Sequence, residues 1–291
     1  MSVETVGVMS PGDMGSGVGG VLKKNGLKVI TALEGRSDES KRRAFEQGFE
    51  DVGSLDELVI QSDIVLSILV PSEALSFAQN ISKVIVHTDA KLVLADCNAV
   101  SPSTGAQIGK EITNAGGKFI DAGIIGGSPR TGAVPRIYAC GEHANILGEL
   151  DGKGISVPIM NGPIGSASGL KMVYAALTKG TAALYASTLM TAKSLDLYED
   201  LVNELEQSQA STLTGMDTLK TVSTKAFRWI GEMDEIAATF GDAGTTSKIH
   251  EGASETFQTI ADSSIGHERV DSVDKQRSLE DSIAAFLKRF D

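Results

Sequence analysis

Proline and glycine are distributed unevenly along the 291 residues. All seven prolines and 24 of the 32 glycines fall in the first 165 positions, and the last 126 contain no proline. Helix interiors exclude proline and disfavour glycine, whereas strands and tight turns are punctuated by both. The shift divides the chain near Gly165 into an α/β part, residues 1–165, and a helical part, residues 166–291. At about 150 residues per domain, the length accommodates both.

In the first part, β-rich apolar runs recur at Thr5–Met9, Lys28–Leu33, Asp63–Leu69, Leu92–Cys97 and Phe119–Ala122, with weaker ones at Ile137–Cys140 and Ile155–Met160. Capped or amphipathic segments separate most of them. Near-continuous apolar strands alternating with helices predict a doubly wound parallel sheet covered on both faces. The second part predicts helices at Ser166 to about Leu197, Glu199–Gln209, Leu213–Thr224, Phe227–Thr239, Thr246–Ala261 and Ser278–Phe290. From Ser166 to Ala192 the first of these carries only two charges, Lys171 and Lys179. A helix so apolar on most faces is expected to be buried between domains or against a second subunit.

The first run leads into Ser10-Pro11-Gly12-Asp13-Met14-Gly15 and then a helical pattern carrying Val18, Val21 and Leu22. Strand, tight turn and helix N-terminus present free N–H groups and a positive dipole end to a pyrophosphate. Gly12 lets the backbone approach it, and Gly15 allows the helix to pack closely on the strand. This is a dinucleotide-binding fingerprint with Ser10 in place of the first glycine. Glu34 lies 19 residues beyond Gly15, the spacing of an acid that bonds a ribose 2′-hydroxyl, as in NAD. Arg36 and Ser37 follow at once and suit a 2′-phosphate, as in NADP. NADP is the favoured cofactor on this reading and NAD the alternative. Lys41, Arg42 and Arg43 read as a solvated helix face.

Lys171 has no acidic residue within four positions on either side. On a buried helix its ammonium is expected to be desolvated, its pKa lowered toward neutrality, and the group usable as a general acid or base. The alternative is a stem packed on the helix with the head in solvent. Lys179 has an equal claim from isolation alone, but Lys171 lies just past the domain boundary, where a cofactor cleft would close.

A formal charge of −12 opposes a phosphate backbone, so neither a nucleic acid nor an anionic membrane is an expected partner. Cys97 and Cys140 stand in no ligand grouping, His87, His143, His250 and His267 are scattered, and no metal site is expected. No G-x-S-x-G elbow follows a strand, which leaves a serine hydrolase unsupported. With no signal-like leader and no apolar stretch approaching 18 residues, a cytoplasmic protein with reduced thiols is expected.

Three stretches together resemble the β-hydroxyacid dehydrogenase family, which includes 3-hydroxyisobutyrate, tartronate-semialdehyde and 6-phosphogluconate dehydrogenases. They are Gly7–Gly15, Asp121-Ala122-Gly123-Ile124-Ile125-Gly126-Gly127, and Gly165 through Lys171. The resemblance implies an N-terminal Rossmann domain, an all-helical C-terminal domain that forms a homodimer or higher homo-oligomer, and hydride transfer between nicotinamide and a carbinol carbon of a small-molecule substrate. Lys171 falls on the catalytic lysine, which removes the hydroxyl proton in oxidation or donates it in reduction. Gly126 and Gly127, with Ser128 beside them, fall on the substrate-binding loop, and Asn98 on a loop facing both nicotinamide and substrate. Leu69 and Val70 complete the candidate cofactor set.

There are departures from the family pattern. Ile125 stands where it has Ser, Tyr174-Ala175 where it has an Asn pair, and Glu232-Met233-Asp234-Glu235 where it has a second lysine. Leu170–Gly180 and Arg228–Met233 resemble a branch labelled 6-phosphogluconate dehydrogenase-like. Arg130 is a candidate for the anion-binding charge that the missing Ser does not supply, and Tyr174, one turn after Lys171, for a substrate contact. The expected function is hydroxyl–carbonyl interconversion on a small anionic metabolite. Its rivals are an imine reductase or reductive aminase, a sister group that generally lacks the lysine, and a non-catalytic NADPH-binding regulator.

Overall fold

A computed structural model describes residues 2–270 and 272–289. Two compact units emerge, Met1–Met172 and Val173–Asp291. In the first, β1 (Thr5–Met9), α1 (Asp13–Lys24), β2 (Lys28–Thr31), α2 (Asp38–Glu46), β3 (Glu50–Asp51), α3 (Leu55–Gln61), β4 (Ile64–Ser67), α4 (Pro71–Thr88), β5 (Val93–Asp96), α5 (Pro102–Asn114) and β6 (Lys118–Ile125) alternate in chain order. β7 (Arg136–Cys140) and the short α6 (Ala144–Gly148) follow.

The seven strands lie in the order β3-β2-β1-β4-β5-β6-β7. β1 to β6 pair in parallel, with crossover helices between them. This is the predicted doubly wound arrangement, and the strand order reverses between β1 and β4, where such sheets open a ligand crevice. Both faces are covered. Val6, Val8, Leu66, Ala95 and Ile120 pack on one side, and Ile30, Val65, Leu94, Ile81 and Ile108 on the other.

Two strand expectations are corrected, and one strand is added. β7 runs antiparallel to β6, because the ten-residue connection 126–135 is too short for a parallel crossover, which needs a dozen residues or more. Ile155–Met160 is not a strand but makes isolated bridges through Ser156 and Ile159; Pro158 has no N–H to continue a ladder. Finally, β3 adds an edge strand of two exposed acids that carry no apolar signal.

The helices of the second part are α7 (Ser166–Ser194), which begins in the first unit, then α8 (Tyr198–Ser208), α9 (Ala210–Met216), α10 (Ser223–Asp242), α11 (Lys248–Ala261) and α12 (Leu279–Phe286). The breaks between 213 and 239 differ from those expected: a 3-10 segment, Asp217–Thr221, separates α9 from a single long α10. The second unit packs around Met233, Ile236, Phe257, Ile260, Ile283 and Phe286, with Trp229 edge-on to Phe257 at 5.0 Å between ring centroids. Among the described residues, no helix is long and apolar enough to cross a membrane.

Candidate active site

The turn after β1 is built for a close approach. Gly12 is the N-cap of α1, and no side chain caps the helix, so its first N–H groups remain available. A Cβ on Gly12 would meet nothing within 4 Å, so the space in front of the turn is open. A Cβ on Gly15 would stand 2.0 Å from the Ser10 carbonyl oxygen; only glycine lets α1 sit this close to the strand end. An open, uncapped helix N-terminus of this shape fits a dinucleotide pyrophosphate. Because the obstruction at Gly15 is backbone, Gly15→Ala is expected to cost about 3 kcal/mol at the turn. NADPH titrated against nicotinamide fluorescence should then bind about 10²-fold more weakly.

At the end of β2, Glu34 is exposed and Arg36 half-buried. Among the described residues no acid pairs with Arg36. The Ser37 hydroxyl is already engaged, accepting from the Ser40 N–H as the cap of α2. Beside them opens a cleft of about 750 Å³ lined by Leu33, Glu34, Lys41, Asp51, Gly53 and Ser54. Arg42 and Arg43 pair with Glu46 and Glu39, as a solvated helix face requires, but Lys41 faces this cleft. Asp51 holds its floor, accepting from the Leu33 and Gly53 N–H groups at 3.1 and 3.0 Å.

The loops after β4 and β5 are tied together by Asn98, which is 2 % exposed. Its Oδ1 accepts from the Leu69 N–H, and its Nδ2 donates to Ser67 Oγ at 2.8 Å and to Asp96. Leu69 is half-buried and Val70 exposed at the N-cap of α4. Sequence reasoning missed Asp96. It is fully buried with Oδ2 lacking any hydrogen-bond partner, and burial pushes its carboxyl up to about 7.

Asp121, on β6, is the second buried acid whose role the sequence did not disclose. Its carboxylate accepts from the N–H groups of Gly165 at 2.8 Å, Ala167 at 3.0 Å and Ser168 at 3.3 Å, from the Ser168 hydroxyl, and from the Cys140 thiol at 3.0 Å. It thereby satisfies the first turn of α7, whose N–H groups have no partner within the helix. Asp96 ends β5 and Asp121 interrupts the apolar run of β6, and an acid within such a run was the available signal.

Gly123 completes the docking of α7 on β6, since a Cβ there would lie 2.7 Å from the Ala167 carbonyl oxygen and 2.9 Å from Lys171 Cβ. One turn into α7, Lys171 Nζ donates to the Ile124 carbonyl at 2.6 Å. Lys171 is half-buried. Lys179 is the more buried lysine, and it forms an ion pair with Glu232 of α10 at 2.8 Å beneath the Trp229 ring. Glu232, in the stretch where the resemblance implies a lysine, is thus matched by a cation on α7.

Of the expected substrate residues, Gly126 and Gly127 are exposed directly after β6, two and three positions beyond Ile124. Ser128 and Arg130 are held instead at the start of α1: Ser128 Oγ donates to the Asp13 carbonyl at 3.0 Å, and Arg130 pairs with the Asp13 carboxylate at 3.1 Å. Ile125 is buried. Tyr174 is exposed on α7, three residues after Lys171. No group of three His, Cys, Asp or Glu among the described residues is arranged to hold a metal ion.

Two family models match the chain. Residues 5–147 match the NAD binding domain of 6-phosphogluconate dehydrogenase, and residues 192–260 a domain of unknown function, DUF1932. An uncharacterised 28.5 kDa protein of Methanothermus fervidus, encoded in a 7S RNA 5′ region, is 32% identical over 186 residues, which is 64% of this chain and 70% of the relative. A solved conserved protein of unknown function, described as structurally similar to 3-hydroxyacid dehydrogenases, matches with TM-score 0.65 and 28% identity over 89% of this chain and 97% of its own. The chain belongs to the 3-hydroxyacid dehydrogenase-like superfamily.

In fold, this superfamily member also matches a Mycobacterium tuberculosis 3-hydroxyisobutyrate dehydrogenase solved with L-serine, at TM-score 0.67 and 15% identity over 98% of this chain and 99% of that one. A Streptomyces aurantiacus imine reductase matches less closely, at TM-score 0.53 and 15% identity over 93% and 98% of the two chains.

Proposed function

We propose that the chain is an NADP-dependent oxidoreductase that interconverts a hydroxyl and a carbonyl on a small anionic metabolite, with Lys171 as general acid and base. The observation that carries this reading is Lys171 Nζ on the Ile124 carbonyl, at the strand end that leads into Gly126 and Gly127. A bound nicotinamide supplies or accepts the hydride.

The chain's own residues do the rest. The uncapped start of α1 holds the pyrophosphate, and Arg36 with Lys41 meets a 2′-phosphate, whereas Glu34 is the residue that favours a free ribose and NAD. The Ile124 carbonyl orients the Lys171 ammonium. In reduction Lys171 donates a proton to the carbonyl oxygen, and in oxidation it accepts the hydroxyl proton. The N–H groups of the exposed Gly126 and Gly127 receive the substrate carboxylate, and the buried Asn98 holds together the loops after β4 and β5. Lys171 also favours this reading over an imine reductase.

The test is turnover across a panel of hydroxyacids, polyols and amines with NADP and NAD in parallel. The proposal expects activity confined to anionic hydroxy or oxo compounds, faster with NADP. Activity on amines alone would replace it with the imine reductase reading, and tight NADPH binding with no turnover would favour a regulator. We further propose self-association through α7, which exposes Val173, Leu177 and Leu184. Sedimentation should show a dimer or larger assembly, and a stable monomer alone would contradict this.

A further inference from the structure

We propose that Asp96 carries a proton beneath the candidate site, beside Asp121, the acceptor that caps α7. Three observations carry this. Asp96 and Asp121 are register partners on the parallel neighbours β5 and β6, so their side chains leave the same face on strands about 4.8 Å apart. Both residues are at most 1 % exposed. Their hydrogen bonding is also opposite in kind. Donors converge on both oxygens of Asp121, from Gly165, Ala167, Ser168 and Cys140. Asp96 accepts at Oδ1 from the Asn98 amide and leaves Oδ2 without a partner. A buried carboxylate oxygen with no donor is costly, and a proton on it removes the charge and makes the atom a donor.

The surroundings agree. Burial is the largest influence raising the Asp96 carboxyl to about 7; Asp121 pushes the same way, and hydrogen bonds from Asn98 and Ser67 oppose both. The groups facing the pair are Asp121 from β6, the Ser67 hydroxyl from β4, the Cys97 thiol and Asn98 amide beyond β5, the Cys140 thiol from β7, and the first turn of α7. The two thiols are themselves pushed upward, Cys97 well above its ordinary value and Cys140 to about 11, so they stay neutral.

The consequence is positional. Asp96 orients Asn98, which holds Leu69, while Asp121 fixes the turn of α7 that carries Lys171. One proton therefore keeps the two loops and the helix together, and Asp96 is a positioning residue. Loss of that proton sets two like charges side by side in a dry interior.

Two readouts on the purified chain test this without cofactor or substrate, so they give the same answer whether or not the chain is a dehydrogenase. Asp96→Asn keeps the shape of the protonated acid and is neutral at every pH. Because the carboxyl lies in the fold above its ordinary 3.8, its stabilisation is complete at low pH and is lost as pH rises through about 7. Between about pH 5 and about pH 8 the wild-type melting temperature should fall by several degrees more than that of Asp96→Asn, and the variant should exceed wild type at the upper end. The wild type should also show an infrared carbonyl stretch of a buried carboxylic acid at about pH 6 that titrates away on alkalinisation. A wild-type protein with no such band, or a variant that melts lower by the same amount at both pH values, would overturn the proposal.

Discussion

Replacing Lys171 by alanine is expected to lower kcat by about 10²–10⁴-fold, the range supplied by a positioned general acid or base. The affinity for NADPH should stay within about twofold, because the ammonium acts on the reacting oxygen rather than on the cofactor. The side chain is half-buried and donates to a backbone carbonyl, so its removal should change stability by only about 1 kcal/mol. Loss of turnover with intact folding and intact cofactor binding separates this from a general structural defect. Lys179→Ala is the control. It breaks a buried ion pair with Glu232 and should lower the melting temperature, yet leave kcat largely intact.

Asp121→Ala should have the largest effect on stability. It removes the acceptor for three backbone N–H groups and one hydroxyl at the start of α7, all in a buried setting. Each orphaned donor costs about 1–3 kcal/mol, partly recovered by relaxation, so a total of about 4 kcal/mol is expected. In a unit of this size that lowers the melting temperature by about 10 °C. Calorimetry checks it. A variant that melts within about 2 °C of wild type would mean that the α7 turn finds other partners.

Much of the first unit is legible in the sequence because its signals are local. The apolar runs of β1, β2, β4 and β5 and the Ser10–Gly15 turn need only neighbouring residues to be read. Where the reading fell short, the deciding contact is distant. Glu50 and Asp51 form an edge strand solely because β2 lies beside them. Ser128 and Arg130 read as candidate substrate contacts, and nothing near them in the sequence shows that the chain folds both onto Asp13, more than a hundred positions away. Lys179 looks as isolated as Lys171 within any short window, and its acid partner arrives on α10. Asp96 closes one apolar run and Asp121 interrupts another, and nothing local shows that the two are buried side by side. Lys171 stands out by its place after the expected boundary near Gly165, yet it lies within the first unit and is less buried than an isolated charge on an apolar helix leads one to expect.

Isotope transfer reads the proposed hydride transfer directly. NADPH carrying deuterium at the transferable C4 position is incubated with the chain and a panel of small oxo acids, and the products are analysed by mass spectrometry. One deuterium is expected on the carbinol carbon of a hydroxyacid product, with the signal lost in Lys171→Ala. Tight NADPH binding with no label in any product, or equal labelling by the Lys171→Ala variant, would contradict it.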